Sequence, residues 1–154
     1  MESLKNTLFQ VAEVELSYRA KVNPTLRPKV TCAQEASDVF RQCWDDSKID
    51  FIEQFHVLLL NRAKHVLGIY RASTGTTAGC AVDARSVFIA ALKANASAVI
   101  LAHNHPSGNL TPSKADTDLT RRLSDAGKII DIEVVDHIIL TRDGYYSFAE
   151  QGAI

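Results

Sequence analysis

Residues 96–102 read Ala-Ser-Ala-Val-Ile-Leu-Ala, and the chain then turns polar at His103-Asn104-His105-Pro106. An apolar run this short, without alternation and with a turn behind it, fits a strand buried on both faces in the middle of a sheet. It has about a third of the roughly 20 residues that a membrane helix requires, so no bilayer crossing is expected. A strand of this kind belongs to a sheet covered by helices, and the remaining segments supply them.

Ala36, Val39, Phe40, Cys43 and Trp44 recur at three- and four-residue intervals, predicting a helix over residues 34–45 with one buried stripe. Residues 55–60 and 65–70 flank the polar run Asn61-Arg62-Ala63-Lys64, the pattern of a β-hairpin. Residues 74–79 read as a Gly/Thr-rich loop, and residues 83–94 as a second helix capped by Asp83. Thr111-Pro112-Ser113 opens a third helix, which is expected to end at Gly127. Ile132–Thr141 and Tyr145–Phe148, around Arg142-Asp143-Gly144, read as two strands and a turn. The fold class that follows is α/β (α+β): a mixed β-sheet flanked by helices.

The first 29 residues differ. Residues 8–22 alternate in part, with Val14, Leu16 and Tyr18 opposite Glu13, Glu15 and Ser17, which predicts a half-buried strand. Pro24 and Pro28 then disfavour helix, so residues 1–29 are expected to form an arm and connector ahead of one domain over residues 30–154.

Charge narrows the function. The chain of 154 residues has 17 Lys+Arg against 18 Asp+Glu, a net charge of −1, which leaves no extended basic footprint for nucleic acid. Arg121-Arg122 reads as a solvated pair. Cys32, Cys43 and Cys80 are odd in number and form no C-x-x-C pair, so buried free thiols are expected rather than a disulfide framework. The N-terminus has neither a long apolar run nor a small-residue cleavage site, and a soluble cytoplasmic protein is expected.

The chemistry begins where the apolar strand ends. Side chains at i and i+2 of a strand end point the same way, so His103 and His105 can converge on one point while Asn104 faces away. Asp116, in the first turn of the helix that follows, can bring a carboxylate back toward them. Two imidazoles and a carboxylate suit zinc and leave a fourth position for water, which is the catalytic arrangement. Ser113-x-x-Asp116 is also the spacing of a capping box, which needs no metal. His56 and His65, in or near strands, are expected to be core or surface histidines.

His103-x-His105-Pro106, then six residues, Ser113, two residues and Asp116 is the full spacing of the JAMM (MPN+) metalloprotease motif. The strings HNHPSG, TPS and DHIIL, within residues 30–154, closely resemble the RadC-like proteins. The resemblance implies a cytidine-deaminase-like JAMM/MPN fold and a zinc-dependent peptidase or isopeptidase with one Zn²⁺ per chain. Its metal ligands would be His103, His105 and Asp116. It also implies a glutamate on an early strand as general base, a place that Glu53 occupies, and Ser113 as a donor to the developing oxyanion. Asp136-His137 matches a stretch that would support the site or the fold. The loops over residues 71–79 and 108–111 are expected to shape the cleft.

Longer RadC-like proteins carry a helix-hairpin-helix module ahead of this domain. None is expected here, so DNA is a weak expectation and an unidentified peptide or protein the main one. The alternative function is a binding module at DNA-repair intermediates, with zinc holding a loop. A zinc nucleobase deaminase shares the broad fold but needs P-C-x-x-C and H-x-E, which are missing from the chain.

Overall fold

A computed structural model describes residues 12–75 and 81–154. Among them are three helices, α1 (Ala33–Cys43), α2 (Ala84–Lys93) and α3 (Lys114–Ile129). The strands are β1 (Gln54–Leu60), β2 (Val66–Thr74), β3 (Ala98–Asn104), β4 (Glu133–Leu140) and β5 (Tyr145–Ser147).

The apolar run is the middle strand of a sheet ordered β2-β1-β3-β4-β5, and all seven residues of β3 are buried. β3 runs antiparallel to β1 and parallel to β4, and the outer pairs are antiparallel, so the sheet is mixed. Alternate residues of β3 feed two cores. Ala98, Ile100 and Ala102 pack with Ala36, Phe40 and Trp44 from α1 and its end. Val99 and Leu101 pack with Val87, Phe88 and Ala91 of α2 and Leu123 of α3. This is the α+β architecture that the periodicities predict.

Asp83 caps α2 by accepting from the Arg85 N–H. β2 runs through Thr74, so residues 71–74 continue the hairpin rather than form a loop. β-branched and hydroxylated side chains are compatible with an edge strand, which this one is. The remainder of the predicted Gly/Thr loop, and Cys80, lie among residues 76–80, outside the described residues.

Three expectations are corrected. Residues 12–21 form no strand, and Val14 and Leu16 are 82% and 81% exposed. The alternating segment finds no partner ladder, and after the 3₁₀ turn at Pro24–Leu26 a single bridge, Lys29 to His65, joins the connector to the hairpin among the described residues. Tyr18 still reaches β2, donating to the Leu67 carbonyl. Residues 8–11 of that prediction lie outside the described residues. Gly127 lies inside α3, not beyond its end. Its glycine character serves close approach: a Cβ there would stand 2.2 Å from the Ile132 carbonyl oxygen. Finally, Cys32 is exposed, immediately before α1, and Cys43 is half-buried, so neither is a buried thiol.

His56 is a core residue, 1% exposed, with its ring 4.0 Å from that of Trp44. Neither ring nitrogen meets a hydrogen-bond partner among the described residues. Burial, with Arg71 nearby, lowers its pKa from 6.5 to about 4. The unfolded chain therefore takes up this proton below pH 6.5, whereas the folded protein refuses it until about 4. Stability from this residue falls by about 3 kcal/mol as the pH drops through that window. His56→Phe, which keeps the ring stack without a titrating group, is expected to flatten this decline. Urea unfolding at pH 7 and pH 4.5 reads the difference. Buried His137 contributes in the same direction, so a residual slope remains.

Candidate metal centre

The carboxyl end of β3 faces the start of β1, with Phe55 opposite His103 in the register. Glu53 immediately precedes β1 at this same end of the sheet. His103 shares the α2/α3 side of the sheet with Val99 and Leu101, and Pro106 and the turn behind it carry the chain to α3. The first turn of that helix then returns Asp116 to the strand end.

Ligand atoms of His103, His105 and Asp116 all lie within 4.8 Å of one another. The two Nε2 atoms are 2.9 Å apart. Asp116 sets one carboxylate oxygen 3.2 Å from His103 Nε2 and the other 3.4 Å from His105 Nε2. The capping box forms as well: Ser113 Oγ accepts from the Asp116 N–H, and the Ser113 N–H donates to the Asp116 carboxylate at 2.7 Å. Capping therefore orients the carboxylate toward the histidines, and the two sequence interpretations hold together.

The protonation of both rings follows from their outer partners. A carbonyl oxygen only accepts, so His105 Nδ1, 2.6 Å from the Asn109 carbonyl, carries the hydrogen. In the neutral ring Nε2 is then bare. For His103 the chain of bonds is longer. Thr120 Oγ1 donates to the Asp116 backbone carbonyl at 2.6 Å, so it must accept from His137 Nδ1, also 2.6 Å away. His137 Nε2 is left as an acceptor, and His103 Nδ1 donates to it at 2.8 Å. His103 thus also turns a bare Nε2 to the shared point. Two lone pairs and a carboxylate at these separations repel one another unless a cation lies among them, and the donor set fits zinc.

The charges agree with this geometry. Burial pushes the Asp116 carboxyl up, but the two facing imidazoles, which in their cationic form donate from Nε2 in place of an ion, outweigh it and hold the group well below the usual carboxylate range. The bond that a second proton on Nε2 would make to Asp116 raises His105. Burial pushes the half-buried Glu53 up, against the influence of His103 and His105, so its carboxyl lies within reach of their charges. Asp136 accepts from the His137 and Ala149 N–H groups and from Ser147 Oγ. It ties β4 to β5, while His137 supports His103. Arg121 and Arg122 are exposed, and His65 is half-buried between the hairpin's turn and β2.

Thr120 is the site residue that sequence reasoning missed. Its signal was available: with Leu123 and Gly127 it forms the buried stripe of α3, where a hydroxyl needs a partner. Thr120→Val keeps the shape and removes the bonds on either side of the hydroxyl. His137 is then free to present its other tautomer, and zinc affinity is expected to fall about 10–100-fold. Competition with a zinc-binding dye measures it.

A helix-covered mixed sheet that carries H-x-H at the end of its central strand and S-x-x-D at the start of the next helix has the build of a JAB (MPN) domain. The chain belongs to the RadC-like JAB domain family, whose profile matches residues 30–153. It is 50% identical over 103 residues to UPF0758 protein STH371 of Symbiobacterium thermophilum, covering 67% of this chain and 44% of that protein. It is 38% identical over 143 residues to a UPF0758 protein of Flavobacterium johnsoniae, covering 92% and 61%. A UPF0758 protein of Desulfitobacterium hafniense is 40% identical over 144 residues, covering 93% and 62%. The chain thus spans between 44% and 62% of the length of these curated relatives. Among the described residues, no helix is long and apolar enough to cross a membrane.

Proposed function

We propose that the chain is a zinc-dependent peptidase of the JAMM type that hydrolyses a peptide or isopeptide bond in a protein or peptide substrate. The observation that carries this reading is the pair of Nε2 atoms, 2.9 Å apart, each left bare by the hydrogen bond at its other ring nitrogen and faced by Asp116. Three protein ligands are one fewer than a purely structural zinc uses, which favours catalysis over loop support. The exposed, unpaired thiol of Cys32 suits a reducing cytoplasm.

Zinc, when bound, supplies Lewis-acid activation of water, lowering its pKa from about 15.7 toward about 7. Glu53 accepts the proton of the attacking water and delivers it to the leaving amine, and the burial that raises its pKa makes it a better base near neutrality. Ser113 spends an oxygen lone pair on the cap and keeps its hydroxyl hydrogen to donate to the carbonyl oxygen as it becomes tetrahedral.

Elemental analysis of the purified chain, followed by a peptide and isopeptide library assay with and without chelator, tests the proposal. About one zinc per chain is expected, with hydrolysis lost on chelation and restored by zinc. Metal bound without hydrolysis, together with salt-dependent DNA binding, would replace the peptidase by the binding module.

A further inference from the structure

Asn104 stands between the two histidines in sequence but on the opposite face of the sheet. It is 0% exposed, and its carboxamide is spent on a single segment of the chain. Oδ1 accepts from the Gln54 N–H at 2.7 Å, and Nδ2 donates to the Ile49 and Ile52 carbonyls at 2.8 and 2.9 Å. These bonds hold the peptide groups on both sides of Glu53, and the Gly75 N–H holds the Glu53 carbonyl at 2.8 Å. Residues 44–53 form only turns, so nothing in a helix or ladder of their own fixes where Glu53 lies.

We propose that Asn104 is a positioning residue for hydrolysis: it anchors the Ile49–Gln54 segment to the end of β3 and so sets the Glu53 carboxyl against the histidine pair. The proposal rests on the peptidase reading above. One tripeptide then serves both halves of the site, with His103 and His105 directed to the ion on one face and Asn104 to the base on the other. The carboxamide is specific for this task, because it offers an acceptor to an N–H and two donors to carbonyls at once. Aspartate would keep the first bond and set an oxygen against two carbonyl oxygens. Serine cannot span all three.

Asn104→Ser and Asn104→Asp are the test, with Glu53→Gln for comparison. Zinc content is expected to stay at the wild-type level in both Asn104 variants. Amide exchange of residues 49–54 should rise about tenfold or more while β4 is unchanged. On a substrate that the wild type cleaves, kcat should fall about 10–100-fold with KM held within about twofold. The double variant with Glu53→Gln should be no slower than Glu53→Gln alone, since a misplaced base cannot be lost twice. Unchanged kcat with zinc retained, or an additive double variant, would overturn the proposal. If the wild type cleaves nothing, the peptidase reading fails by itself, and exchange still decides the anchor: no change over residues 49–54 overturns it. If neither variant folds, wild-type exchange decides. A Gln54 amide protected like the β1 ladder supports the anchor, and free exchange there refutes it.

Discussion

Glu53→Gln is expected to lower turnover about 10²–10⁴-fold while zinc content and melting temperature stay near those of the wild type. Glutamine keeps the size of the side chain and its hydrogen-bonding reach, so what is lost is the capacity to take up and hand on a proton. The ligands lie elsewhere, on the end of β3 and the start of α3, so the ion should be unaffected. Kinetics on the library substrate, with elemental analysis of the same preparation, checks this. Full activity in the variant would remove Glu53 from the reaction. Loss of zinc would make it a ligand instead.

The second large effect is expected at Asp116. Asp116→Ala should lower zinc affinity by at least about a hundredfold, since even hydrogen-bond partners outside the ligand shell are worth about 10–100-fold. It also removes half of the capping box of α3, at about 1 kcal/mol. Two further variants separate these roles. Asp116→Asn keeps an oxygen for the cap but loses the charge that balances the ion. Ser113→Ala weakens the cap and leaves all three ligands. Zinc titration and thermal unfolding should show the first losing metal with little loss of stability and the second losing stability with metal retained. Acid should empty the site in the wild type as well, because His105, raised by Asp116, must lose its proton before it can bind.

The sequence was most legible where contacts are local. The middle strand, the hairpin, the three helices and the trio His103, His105 and Asp116 all follow from spacings within one strand, one turn or one helix end. The trio lies within residues 103–116, a strand–loop–helix whose geometry is set by its own pattern. What was not legible depends on which strands become neighbours. His137 reaches His103 only because β4 pairs in parallel with β3, and Thr120 reaches His137 only because α3 packs over that pair. Asn104 was expected to face away from the histidine pair, and it does. That its opposite face holds the segment leading to Glu53 requires the β1–β3 register, which no local period encodes. The arm failed for the converse reason: its alternation is a property of the segment, but a strand needs a partner ladder.

The same division bears on the order in which the site is assembled. The three ion-facing side chains span 14 positions, counted from 103 through 116, so closing that loop costs little chain entropy. Glu53 arrives from 50 positions upstream, counted as 103 − 53, and only when the hairpin docks along the middle strand. Pairing over this separation costs more loop-closure entropy than closing the 103–116 loop. The three candidate ligands are close in sequence, whereas His137, which orients His103, and Glu53 both reach the site through sheet pairing. The proposed base and the histidine pair therefore face each other only in a chain whose β1 is paired along the middle strand.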